Sequence, residues 1–206
     1  MFLVVGSGKT GSEVVKLIPQ DQLLAVCNTK KPSTVELMKK AACIIVFVPA
    51  DAFAEIQPIL IESGVPVVIG TTGLSLPHTL PLKAPWIIGS NFSIGMNLMF
   101  KFAREIPKNI VNHVSIYEEH HIHKKDSPSG TALYLKSLFP TFNVDVEAKR
   151  EADVKGLHSL ALQLDGEILK IEHTALDRSV FAKGALFAAS KIKECKIGLH
   201  RFEEMF

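Results

Sequence analysis

Short apolar runs separated by amphipathic stretches set the pattern of the first half of the chain. Residues 2–5, 23–26, 44–48, 65–69 and 86–88 are rich in valine, isoleucine and leucine and read as buried strands. Between them, 12–18, 34–40 and 51–63 carry the spacing of helices, with Gly64 where a helix stop belongs. Strands apolar on both faces and separated by helices make a parallel sheet covered on both sides. Right-handed crossovers then give a doubly wound, Rossmann-like α/β domain.

The pattern changes after Asn91. A helix is expected over 94–106, stopped by Pro107, then a long extended segment over 111–123. A loop over 124–128 leads to a helix over 130–138. Strands are expected at 142–146, 157–164 and 167–174, with Asp165-Gly166 as a hairpin turn. A last helix spans 180–193. This second half is α+β with an open mixed sheet, and the chain divides into 1–92 with 180–206 and a domain of 93–179.

Composition narrows the class of protein. The chain has 206 residues, 47% apolar and 21% charged, enough for a sizeable core. A net charge of +2 demands no nucleic-acid partner. The longest apolar run, 41–50, is too short to cross a bilayer, so no membrane partner is expected and the protein reads as cytoplasmic. Three cysteines without CxxC spacing argue against a disulfide framework and a thiolate zinc site.

Gly6-Ser7-Gly8-Lys9-Thr10-Gly11 follows the first strand and opens the first helix. This is G-x-G-x-x-G in the setting that lets backbone N–H groups and a helix amino terminus meet a dinucleotide pyrophosphate. Two other readings stand beside it. Gly8-Lys9-Thr10 resembles the end of a Walker A loop, although Leu3 sits where that motif needs glycine, and a bare glycine turn packing helix on strand needs no ligand. The acidic residue expected after the second strand is absent; the stretch runs Cys27-Asn28-Thr29-Lys30-Lys31. Lys30 and Lys31 suit a 2′-phosphate and so lean towards NADPH over NADH, or they are a solvated pair.

The densest chemistry lies at Glu118-Glu119-His120-His121-Ile122-His123-Lys124-Lys125-Asp126-Ser127-Pro128-Ser129-Gly130-Thr131. In an extended chain, His121 and His123 share one face and His120 and Lys124 the other. An imidazole beside an ammonium suits proton transfer near neutral pH, each lowering the other's pKa. Ser129, Gly130 and Thr131 at a helix start form an anion pocket, which suggests a substrate carrying carboxylates. Zinc on His121 and His123 is the alternative; Lys124 and Lys125 disfavour it, and no metal is expected. An amphipathic strand of solvated histidines before a capped helix is the plainest reading. His78, His113, His173 and His200 lack such a setting and read as surface or core residues.

The same segment resembles the signature of the dihydrodipicolinate reductase family. Val68-Ile69-Gly70-Thr71-Thr72-Gly73, Ser90-Asn91-Phe92-Ser93-Ile94-Gly95-x-Asn97 and Phe181-Ala182-x-Gly184-Ala185 resemble three further family segments in order. Arg150 and Gly156-x-His158 fit a weaker pattern. The first glycine loop is one residue shorter than usual, and the segment between the second and third strands is much shorter. The resemblance implies reduction by NAD(P)H of the cyclic imine formed by dehydration of 4-hydroxy-tetrahydrodipicolinate, on the diaminopimelate and lysine route. It implies a dinucleotide domain (1–92 with 180–206), a substrate and oligomerisation domain (93–179), domain closure over both ligands, and a homotetramer. By position it implies His120 as acid/base residue and Lys124 as proton donor. His121, Gly130 and Thr131 become carboxylate contacts. Gly6 to Gly11, Gly70 to Thr72 and Ser90 to Phe92 become nucleotide contacts. A dinucleotide-sensing module of the same fold without turnover, and a P-loop phosphotransferase, are the rival readings.

Overall fold

The computed structural model describes residues 1–74, 76–77, 79–151 and 154–206. His78 therefore lies outside the described residues. The chain divides into two compact units, Met1–Ile94 with Ser179–Met205, and Gly95–Arg178.

The first unit holds β1 (Phe2–Val5), α1 (Lys9–Leu17), β2 (Leu23–Cys27), α2 (Val35–Met38), β3 (Cys43–Val46), α3 (Ala50–Ser63), β4 (Val67–Ile69) and β5 (Pro85–Ile88). After the second unit the chain returns with α6 (Ser179–Lys191) and β10 (Gly198–Arg201). The strands form one parallel sheet in the order β10-β5-β4-β3-β1-β2. Leu3, Ile44, Ile45, Val67, Val68 and Ile69 are fully buried, as the continuous apolar runs require of a sheet covered on both faces. The order reverses between β1 and β3, the kind of switch point at which open α/β sheets bind ligands. α3 ends at Gly64, whose φ of 65° and ψ of 20° place it in the left-handed region.

Two expectations for this unit need correction. The first helix begins at Lys9, not residue 12, so half of the glycine loop is the helix's first turn. β10 went unpredicted because Gly198-Leu199-His200-Arg201 has no apolar run; it is an edge strand paired only to β5.

The second unit holds most of α4 (Ile94–Glu105), then β6 (His113–His120), α5 (Gly130–Ser137), β7 (Asp145–Arg150), β8 (Leu157–Gln163) and β9 (Ile168–Thr174). Its sheet is mixed, in the order β7-β6-β8-β9, with β7 parallel to β6 and the other pairs antiparallel. Met96, Met99 and Phe100 of α4, Leu135 of α5, Val114 and Ile116 of β6 and Leu160 and Leu162 of β8 form its core. β7 lies C-terminal to the apolar stretch expected to form it. Val144 is instead buried in the core before the strand starts, and Phe142 packs beside Phe139. The strand itself, DVEAKR, is polar and alternates exposed with half-buried positions at the sheet edge. β6 also stops at His120, and Lys124 N–H donates back to the His121 carbonyl at 3.0 Å. The chain turns there, so the two-face arrangement expected of 120–124 does not form.

α6 packs on α1 and over β3 and β4 through Ala182, Gly184, Ala185, Ala188 and Ala189, all buried. A Cβ at Gly184 would overlap the Phe92 carbonyl, so helix and backbone touch there with no room for a methyl. Gly184→Ala should lower the unfolding free energy by about 1–3 kcal/mol despite alanine's better helix propensity. Urea denaturation checks this; equal or greater stability in the variant would contradict the close approach.

Candidate active site

In the first unit the expected nucleotide contacts gather at the carboxyl edge of the parallel sheet. Gly6, with φ of 111°, follows β1, and a Cβ there would overlap the Phe47 carbonyl at the end of β3. A Cβ at Gly11 would overlap the Gly6 carbonyl, so α1 lies against its own loop. Gly8 faces open space and caps α1 with no side-chain hydrogen bond. The N–H groups of the first turn, at Lys9, Thr10 and Gly11, therefore have no side-chain acceptor at the cap, and the helix dipole adds positive potential there. Gly70 follows β4 with the Phe47 ring lying where its side chain would be. Thr71 is buried, and its Oγ1 has no hydrogen-bond partner among the described residues. Thr72 is exposed in the following turn. After β5, Ser90 is exposed, Asn91 Oδ1 accepts from Ser93 N–H at 2.9 Å, and Phe92 is buried against Phe47 and Phe202.

These residues fit a dinucleotide. An uncapped helix amino terminus beside an open glycine suits a pyrophosphate, and the orphaned Thr71 hydroxyl offers a polar contact at the next strand end but one. Asn28 is a residue that motif reading passed over. Its Oδ1 accepts from Lys30 and Lys31 N–H at 2.9 and 3.1 Å, and its Nδ2 donates to Ser7 Oγ at 3.3 Å. It thus ties the turn carrying the exposed Lys30 and Lys31 to the glycine loop. The only signal was its position, where an acidic residue is expected.

In the second unit, β6 alternates strictly, so Val114, Ile116, Glu118 and His120 share its buried face. Glu118 has no solvent exposure. Its Oε1 accepts from Ser129 N–H at 3.0 Å and Arg150 Nη2 at 2.9 Å, and its Oε2 lies 2.9 Å from His120 Nδ1. The strand register explains the meeting: His120 is opposite Arg150 on β7, and Glu118 is opposite His158 on β8. Burial alone would raise the Glu118 pKa, but the bonds from Ser129 and Arg150 overcome it and hold the carboxyl below its usual range. Burial lowers the His120 pKa; Glu118 opposes this, and Lys124 and Arg150 add to it. Burial also drives His158 down, to about 3, helped by His120.

The remaining predicted residues lie around this cluster. Lys124 Nζ is held at 2.8 Å from both Asp126 oxygens, and Arg150 binds the Lys124 and Asp126 carbonyls from the other side. Ser129 is buried and caps α5, accepting from Ala132 N–H at 3.2 Å, while its own N–H is spent on Glu118. Gly130 is exposed, and its N–H donates to Asp126 at 3.4 Å. Thr131 is half-buried in the first turn of α5. His121 meets Arg178 Nη2 at 2.9 Å, and its ring lies 6.1 Å from that of His123. Arg178 could not be placed from sequence, being 57 residues from its partner. Glu118, His120 and His158 bring three ligand atoms within 4.8 Å, but Arg150 already neutralises the carboxylate, which disfavours a cation.

The comparisons with known proteins accord with this arrangement. Residues 2–84 match the family model described as Dihydrodipicolinate reductase, N-terminus, and residues 95–206 match that described as Dihydrodipicolinate reductase, C-terminus. The chain belongs to the dihydrodipicolinate reductase family. A 4-hydroxy-tetrahydrodipicolinate reductase of Thermosipho africanus is 31% identical over 99% of this chain and 96% of its own. One from Methanosarcina barkeri is 29% identical over 87% of this chain and 78% of its own. A dipicolinate-bound dihydrodipicolinate reductase from Paenisporosarcina sp. TG-14 has the same fold, with a TM-score of 0.83 at 20% identity over 100% of this chain and 98% of that one. Neither a P-loop phosphotransferase nor a sensing module is favoured among these relatives of the reductase family.

His158 gives the family site a test that needs no substrate. Unfolded, its imidazole takes up a proton near pH 6.5; folded, it stays neutral until about pH 3. Between those values the unfolded state binds the extra proton, so stability falls as pH falls, by about 1.4 kcal/mol per pH unit from this group. His158→Gln should make the pH slope of unfolding free energy shallower by about one proton across that window. Urea titrations at a series of pH values measure it, and an unaltered slope would mean that His158 is not held neutral.

Proposed function

We propose that the chain is an NAD(P)H-dependent oxidoreductase that reduces the dehydrated form of 4-hydroxy-tetrahydrodipicolinate to tetrahydrodipicolinate in diaminopimelate and lysine biosynthesis. Substrate, NAD(P)H and one proton give product and NAD(P)⁺. The observation that carries this reading is the juxtaposition of His120, Lys124 and the α5 amino terminus around the buried Glu118–Arg150 pair, in a chain that matches both halves of the family. The first unit is the dinucleotide-binding domain, through Gly6, Ser7, Gly8, Lys9, Thr10, Gly11, Gly70, Thr71, Thr72, Ser90, Asn91 and Phe92. The nicotinamide supplies the hydride.

The second unit binds the substrate and assembles the oligomer. The substrate is a dicarboxylate ring. His121 and the N–H groups and hydroxyl at Gly130 and Thr131 hold its carboxylates, with the Ser129 cap aiming that first turn. His120 is the acid/base residue and Lys124 the proton donor to the ring. Asp126 keeps the Lys124 ammonium in place between turnovers. Assembly is as a homotetramer through the uncovered face of the four-stranded sheet, where Ser115, Tyr117, Glu147, Ala161 and Lys170 line a shallow hollow. The compartment is the cytoplasm, in keeping with three unpaired cysteines. Among the described residues, no helix is long and apolar enough to cross a membrane.

The assay couples the chain to the synthase that makes the substrate from pyruvate and aspartate semialdehyde, and follows nucleotide oxidation. Wild-type protein should consume NADPH or NADH; folded protein that consumes neither would defeat the reading. Lys124→Ala should cut kcat by about 10²–10⁴-fold with nucleotide affinity little altered. An equal fall in both would remove Lys124 from the proton-donor role.

Preference for NADPH rests on Lys30, aided by Lys31. Both are exposed, so screening limits their effect to a gain of up to about five-fold each. Titrating both nucleotides at equal ionic strength should show tighter NADPH binding that weakens with salt and with Lys30→Ala. Tighter binding of NADH would refute this role.

A further inference from the structure

The reaction scheme leaves Glu118 unused, yet its surroundings are the most constrained in the second unit. Oε1 is taken up by Ser129 N–H at 3.0 Å and Arg150 Nη2 at 2.9 Å. Oε2 and His120 Nδ1 lie 2.9 Å apart, both buried, at ion-pair distance but off hydrogen-bond alignment, and neither has a hydrogen-bond partner among the described residues. Buried polar atoms left unpaired are costly, and a small rotation of the ring would let Nδ1 and Oε2 satisfy each other. An ionised carboxylate accepts and cannot donate, so the proton between them belongs to Nδ1. His158 Nε2 is a poor competitor, at 3.7 Å from the same oxygen. On the far side of the ring, Nε2 faces Gly156, where a Cβ would come within 3.2 Å and where φ is 151°. Glycine thus leaves the space beside Nε2 open.

We propose that Glu118 is a positioning residue: it fixes His120 in the Nδ1–H tautomer and holds the ring plane, leaving Nε2 as the atom that exchanges a proton at the reaction site. This rests on the reading of His120 as the acid/base residue. The anchoring of Glu118 by Ser129 N–H links that tautomer to α5, so the element offered to the substrate carboxylate also aims the proton-transfer group. The charged and titratable groups facing His120 are Glu118 on its own strand, Lys124 and Asp126 on the following loop, Arg150 on β7 and His158 on β8.

The experiment is ¹⁵N NMR of histidine-labelled protein, above the pH at which the ring titrates, with steady-state kinetics beside it. Wild-type His120 should show a protonated Nδ1 and an unprotonated Nε2; the reverse overturns the proposal without need of any variant. In Glu118→Gln the two donors on Oε1 keep the amide oxygen, which turns the NH₂ group towards Nδ1 and forces the proton to Nε2. That variant should reverse the tautomer and lower kcat by about 10²–10⁴-fold, with KM and nucleotide affinity within about two-fold. Folded Glu118→Gln protein with the original tautomer and kcat overturns the proposal. His120→Ala with undiminished turnover would instead sink the acid/base reading, whatever the tautomer of the wild type, so the two failures are told apart.

Discussion

A carboxylate with no solvent exposure is costly unless its oxygens meet donors, and the second unit is organised around meeting that demand for Glu118. Arg150 from β7, the Ser129 N–H from the start of α5 and His120 from its own strand all converge on it. Because Arg150 also binds the carbonyls of Lys124 and Asp126, the loop after β6 is gathered in by the same guanidinium. The order of the proposed proton-transfer groups is thus a by-product of satisfying one buried charge. Removing Arg150 would leave that charge without its cation, which couples the integrity of the site to that of the unit's core.

Much of this was legible along the chain, for definite reasons. The parallel sheet could be read because strands covered on both faces must be apolar throughout, as Ile44 to Val46 and Val67 to Ile69 are. The glycine loop could be read because its setting between strand and helix is part of the motif. β6 carried a second, subtler message. Val114, Ile116, Glu118 and His120 continue one alternation, so Glu118 belongs to the core row, although a glutamate there looks like an exposed residue until Arg150 is known to face it. Edge strands were hard for the opposite reason. β7 and β10 satisfy only one neighbour each and bury little, so β7 alternates only between exposed and half-buried positions and β10 has no apolar run. The turn after His120 was hidden too, since alternation that stops leaves no trace in residue types. Contacts across long stretches, such as His121 with Arg178, have no local signature at all.

The nucleotide side shows a different economy. Glycines at 6, 11 and 70 are demanded by neighbouring protein atoms, whereas Gly8 faces open space. A packing role therefore explains three of them and fails for the fourth, which caps α1 and leaves the space before that helix open. Asn28 adds that the turn bearing Lys30 is not an independent loop but is tethered to Ser7.

The first unit is made from two stretches of chain, with the whole of Gly95–Arg178 between them. α6, which covers α1 with a row of alanines and Gly184, and β10, which closes the free side of β5, are the last parts of this unit to leave the ribosome. Until then α1 lacks its helix neighbour over β3 and β4 and the sheet has an open edge at β5, while the four-stranded unit is already complete. Nascent chains should therefore close the core of Gly95–Arg178 before that of the parallel-sheet unit, which waits for α6 and β10.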